Sequence, residues 1–174
     1  MGSITFPSVR YWCRTMTALA VLVVLALTSA HADPSSAACQ LFQPAELEAT
    51  LGGKAAKFSG GTLGDADFCR GQIGTLKVLI RIAERQREDG GAVEREAIDM
   101  LRKKGIQVEV KTEGNLTCST LIPPASLAQM GFNTTCSILH AGKVVAVEVT
   151  APSQEEMASM DAVRRLVQRG VTRL

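Results

Sequence analysis

The sequence predicts an α+β domain: an antiparallel sheet of about four to five strands, helices packed on one face, and two disulfides. Three observations carry this. Apolar residues alternate with a period of two in several neighbouring segments. Helical periodicity brackets and interrupts those segments, and four cysteines remain once an N-terminal leader is set aside. Runs of neighbouring strands favour antiparallel pairing, because each parallel connection needs a long crossover.

The leader reads "MGSITFPSVRYWCRTMTALAVLVVLALTSAHAD", with Arg10 and Arg14 ahead of an apolar run from Met16 to Leu27 and Ala30-His31-Ala32 at its end. A basic start, a short apolar run and a small-x-small site form the layout of a secretory signal peptide. The run is about a dozen residues, short of the roughly 20 that cross a bilayer. Residues 1–32 are therefore expected to be a cleaved signal, and residues 33–174 a single disulfide-stapled domain that is periplasmic or secreted. A retained anchor is the alternative. A lipoprotein attached through Cys39 fits less well, since Ser36 stands where a lipobox has an aliphatic residue.

Cleavage takes away Cys13, His31, and the only tyrosine and tryptophan, Tyr11 and Trp12. Without Arg10 and Arg14, the 19 basic residues become 17, matched by 17 acidic ones. A neutral mature chain argues against nucleic acid or an anionic membrane surface as partner. Lacking Tyr and Trp, it also has little material for sugar platforms, cation cages or base stacking. The processed protein should be almost transparent at 280 nm.

Along the mature chain, "LFQPAELEATLGG" has Pro44 at a first helical position, Leu47 and Leu51 on one face, and Gly52 as a stop. Gly-rich breaks at 52–53, 60–61 and 90–91 read as turns. "TLKVLIRIA" sets Leu76, Val78, Ile80 and Ile82 against Lys77, Leu79, Arg81 and Ala83, the clearest strand of the chain. "GGAVEREAIDMLRKKG" changes to helical spacing through Val93, Ala97, Met100 and Leu101, with Arg102, Lys103 and Lys104 in the last turn before Gly105. "IQVEVKTEGNLTCSTLI" opens as another alternating strand, Ile106, Val108 and Val110 opposing Gln107, Glu109 and Lys111. "PPASLAQMGF" interrupts as one helical turn, and "NTTCSILHAGKVVAVEV" forms a hairpin around Ala141-Gly142. In the closing helix, Ser153 and Glu156 match a capping box, and Met157, Met160, Val163, Val167, Val171 and Leu174 form a stripe that Gly170 weakens.

Three roles compete for Cys118, Cys136 and His140. A catalytic cysteine must be an accessible thiolate beside a base. On a regular strand, Cys136 and His140 lie about 13 Å apart, and an oxidising compartment favours paired sulfur. A zinc site needs short, repeated Cys and His spacings, and His140 is the one histidine left after cleavage. The staple remains: four cysteines allow three pairings, of which Cys39–Cys69 and Cys118–Cys136 are expected. No catalytic residue, metal ligand or cofactor is expected. Ser119 and Ser126 have no nucleophile-elbow context, and Asp65/Asp67 and Glu155/Glu156 read as a turn and a helix start. Asn115 and Asn133 head glycosylation sequons, which matter only in a eukaryotic host.

The segment "ACQLFQPAELEATLGG", through Cys39, Leu41, Pro44, Glu46, Leu47, Leu51 and Gly52, resembles the start of a group of small exported bacterial domains. That group includes actinobacterial secreted lipoproteins of unknown function, and the extracellular sensor domain of a mycobacterial receptor serine/threonine kinase is similar. The closing "NTTCSILHAGKVVAVEVTA" and "MDAVRRLVQRGVTRL" fit its usual ending. The resemblance implies an α+β domain with two disulfides and a ligand cleft, without a catalytic site, and transfers no functional residue. The function expected is a non-catalytic binding module for a small ligand; the alternative is an accessory or inhibitor acting on another exported protein. Lys77, Arg81, Glu109 and Glu148 form the candidate ligand face.

Overall fold

The computed structural model describes residues 36–84 and 90–174, with side chains in the helix after residue 89 described from Arg95 onward. The expected signal, its cleavage site, and Cys13, Tyr11, Trp12 and His31 lie outside the described residues. Seven strands make one antiparallel sheet. They are β1 (Ala55–Leu63), β2 (Ala66–Ile73), β3 (Leu76–Glu84), β4 (Gln107–Glu113), β5 (Leu116–Ile122), β6 (Phe132–His140) and β7 (Lys143–Ala151). The spatial order is β1-β2-β3-β7-β6-β5-β4. A three-strand meander and a four-strand meander therefore meet where β3 pairs with β7.

The sheet exceeds the expected four to five strands because β1 and β2 carry little periodic signal. Gly60 and Gly61, read as a turn, lie inside β1, and Gly71 lies inside β2. A Cβ on Gly71 would come within 2.4 Å of the Phe58 ring, and one on Gly61 within 2.8 Å of the Phe68 ring. Glycines covered by rings, Gly71 on the helix-bearing face and Gly61 on the open one, stand where branched aliphatic residues would mark the period, so alternation fades.

Helices α1 (Ala37–Gln40) and α2 (Pro44–Leu51) pack on the β1–β3 half, and α4 (Met160–Val171) packs on β5, β6 and β7. Between these helices and the sheet lie Leu47, Ile73, Val78, Ile80, Val145, Val147, Val149, Val163, Leu166 and Val167, all essentially inaccessible. Burial of each such side chain contributes about 1.5–3 kcal/mol relative to exposure. Thr134, buried among them, donates its hydroxyl to the Ala158 carbonyl at 2.8 Å, so its polar atom is satisfied.

Cys69, Ile80, Val147, Cys136 and Cys118 stand in one cross-strand row on this covered face. Cys39 pairs with Cys69 and Cys118 with Cys136, each at disulfide distance. The first bond ties α1 to β2, and the second links neighbouring strands at the heart of the core.

The closing helix starts later than the capping box implied. Ser159 is its N-cap, accepting a hydrogen bond from the Ala162 amide, while Ser153 and Glu156 bond to each other in the preceding turn. Its buried stripe includes Leu166 and Gly170, whereas Leu174 is exposed. The helix α3 (Gly90–Lys103) touches β4 and leaves Ala97 and Met100 of the expected stripe exposed, with Leu101 half-buried. Its last turn is held to the chain that follows, with Ile106 donating back to the Leu101 carbonyl and Arg102 reaching the Val108 carbonyl.

Candidate functional site

The face of the sheet opposite α1, α2 and α4 carries a groove of about 670 Å³ over β1, β2 and β3. Strand register assembles it. On β3, Lys77, Leu79 and Arg81 point to this face, one residue out of phase with the buried Val78, Ile80 and Ile82. Opposite them on β2 stand Gln72, Arg70 and Phe68. Strand β1 adds Ser59 beside Arg70, Gly61 beside Phe68 and Leu63 beside Ala66. Lys57 sits in the irregularity between Ala56 and Ser59, where the pairing of β1 shifts.

The groove thus has an apolar floor and cationic flanks. Leu63, Ala66, Phe68 and Leu79 supply the floor; Lys57, Arg70, Lys77 and Arg81 supply four positive charges, and no carboxylate lines it. None of these four makes an ion pair with a described residue. Several cations elsewhere are partnered: Arg164 with Glu113, Lys143 with Glu84, and Arg169 and Arg173 with Glu46. These four unpaired positive charges stand together on one face of the sheet. The Arg70 guanidinium lies 5.7 Å from the centroid of the Phe68 ring, a cation–π geometry that holds it along the floor.

Lys77 and Arg81 of the expected ligand face are both in the lining. Glu148 is on the same face, across Leu79 from Arg70, and accepts a 2.9 Å hydrogen bond from Asn133. It borders the groove rather than lining it. Glu109 does not join them. Its row runs through Thr120, Thr134, Val149 and Val78, which places it on the helix-bearing face at the edge strand β4, where it pairs with Lys111 at 3.0 Å. The physical reason is register: Val108 and Val110 stand opposite Leu121 and Ser119, whose rows continue onto the open face, so Glu109 between them faces the other way. Lys57 and Arg70 went unread because the strands that carry them did.

The groove brings together no nucleophile and base: its hydroxyls are Ser59 and Thr150, with neither histidine nor carboxylate in the lining. His140 is exposed at the end of β6, beside the turn to β7. No group of three or more His, Cys, Asp or Glu that could hold a metal ion occurs among the described residues. No described helix is long and apolar enough to cross a membrane. What the arrangement can do is bind: apolar contact below, and hydrogen-bonded charge neutralisation from several sides. Comparison with known proteins finds no family model, no curated protein and no solved structure that matches this chain.

Proposed function

We propose that the domain is an exported, non-catalytic binding module whose open sheet face takes a small anionic ligand. The observation that carries this reading is the groove over β1–β3, where Lys57, Arg70, Lys77 and Arg81 surround an apolar floor without a carboxylate among them. Like charges brought close repel, and the arrangement has lower free energy once an anion stands between them. Its volume falls in the range of ordinary small-molecule sites, roughly 300–1,000 Å³.

Titration with anilinonaphthalene sulfonate, an anion with an apolar body, tests the reading. One equivalent is expected to bind, and the Arg70→Gln/Lys77→Gln double variant should weaken it at least about tenfold, since hydrogen bonds to charge contribute roughly 1.5–3 kcal/mol each. Arg70 and Lys77 are exposed, so the melting temperature should stay near that of the parent. Binding that is indifferent to both charges contradicts the proposal.

A further inference from the structure

Charge and apolar surface are not mixed evenly along the groove. Three cations gather at one end: Lys57 at the β1 irregularity, Arg70 in the next row, and Lys77 opposite Gln72. Arg70 and Lys77 are diagonal neighbours on adjacent strands, a separation of about 7–8 Å between their backbones. Gln72 and Thr150 are at the same end, adding neutral hydrogen-bonding groups. From there the floor becomes apolar in register order, first Leu79, then Phe68, then Ala66 with the outermost Leu63 beside it. Leu63 is 77% exposed, an unusual position for a large aliphatic side chain at the end of an edge strand. The rows of Ser59 and Leu63 are four residues apart, about 13 Å.

The two ends differ again in what lies beyond them. Past Leu63 and Ala66 the two strands turn, and the smaller hollow of about 260 Å³ at that end, with Ala37, Asp67, Ile82 and Glu84 in its lining, opens on the helix-bearing face. Past Lys77 and Thr150 is one of about 240 Å³ against Met130 and Gly131, with no carboxylate. A molecule anionic at one end is attracted to the Lys57 side, and a second anionic group at its other end would be held against the apolar Leu63 and Ala66.

Resting on the reading of the groove as an anion site, we infer that its ligand is a single-chain amphiphile with one anionic head. The head, a carboxylate or a phosphate, sits among Lys57, Arg70 and Lys77. The hydrocarbon chain runs over Leu79 and Phe68 towards Leu63. Arg81, opposite Phe68, flanks the chain through its aliphatic stem.

Calorimetric titration of the purified full chain with butanoate, dodecanoate, dodecanedioate and dodecyl phosphate, below their micelle concentrations, tests this. Dodecanoate should bind as one equivalent, at least about tenfold tighter than butanoate, because each buried methylene adds to the transfer free energy. Dodecanedioate should bind at least about tenfold weaker than dodecanoate. A preference between dodecanoate and dodecyl phosphate distinguishes a carboxylate head from a phosphate one. Leu63→Ser/Leu79→Thr should flatten the dependence on chain length, bringing dodecanoate towards the affinity of butanoate.

If butanoate equals dodecanoate and both are lost in Arg70→Gln/Lys77→Gln, the anion site stands and the amphiphile inference is overturned. If no carboxylate or phosphate responds to either pair of substitutions, both readings fall together. Equal binding of dodecanoate and dodecanedioate overturns the single-head assignment.

Discussion

Arg173, next to the last residue of the chain, grips Glu46 of α2 with both arms of its guanidinium, at 2.7 and 3.1 Å. The same side chain also donates to the Leu41 carbonyl, so the segment after α4 is fastened to α1 and α2. Glu46 is only 13% exposed, and Arg169 approaches it at 3.6 Å. The hydrogen bonds from Arg173 hold the Glu46 carboxyl below its ordinary range, outweighing burial, and the charges of Arg173 and Arg169 act in the same direction.

A carboxyl whose pKa is lower in the folded state stabilises the fold above its unfolded value, near about 4.3. That contribution disappears as the pH falls below this value and through the folded pKa. Glu46→Gln should therefore reduce stability at neutral pH by about 1–2 kcal/mol. Urea titrations at a series of acid pH values should show a smaller loss of stability in the variant than in the parent. Equal slopes would mean that Glu46 does not contribute to acid unfolding.

The β6–β7 hairpin turns through Ala141 and Gly142, both in the left-handed region at φ of 47° and 78°. Successive positive angles are the signature of a type I′ turn, which favours Asn-Gly. Alanine there bears a steric strain that asparagine or glycine lacks. Ala141→Asn should stabilise the protein by about 0.5–1 kcal/mol, raising the melting temperature by about 1–4 °C. A lower melting temperature would show that the turn does not limit stability.

Gly170 lies within α4, where helix propensity alone would favour alanine by about 1 kcal/mol. A Cβ at that position would stand 2.8 Å from the tip of the Phe42 ring, and Phe42 is itself 5% exposed. Gly170→Ala should thus destabilise, by about 1–2 kcal/mol, through overpacking. Phe42→Leu should relieve the clash, so the two substitutions should be strongly non-additive in a double-mutant cycle. Simple additivity would refute the contact.

All four cysteines of the described residues are paired, and Cys69, Cys118 and Cys136 are at most 1% exposed. The native folded domain should take up no maleimide at these positions. The bonds close separations of 30 and 18 residues, each contributing about 3–4 kcal/mol in the chain-entropy treatment. Replacing Cys118 and Cys136 by alanine should lower the urea midpoint accordingly. Labelling of the native domain at any of the four would overturn the assignment of sulfur to architecture.

Much of this fold is legible from residue pattern. Leu76, Val78, Ile80 and Ile82 announce β3 because both flanking strands share their burial, and Ala141-Gly142 announces its turn because few residues accept that backbone. The cysteine pairs follow from an even count and from element proximity. Strands β1 and β2 were hidden: Gly61 and Gly71 owe their places to the rings of Phe68 and Phe58, contacts formed only across strands. With those strands went Lys57 and Arg70, half of the groove's charge. Glu109 shows the other limit. Alternation tells that Val108 and Glu109 face opposite ways, but which of them joins the helix-bearing face depends on the register of β4 on β5, and a shift of one residue exchanges the faces.

The central claim is that the open face of β2 and β3 is where this molecule binds. Amide chemical-shift mapping with isotopically labelled protein and dodecanoate tests it most directly. Shifts should concentrate in residues 57–63, 66–72 and 77–81 and be largest near Arg70 and Lys77. Shifts confined to α4, or to the edge strand β4, would contradict it.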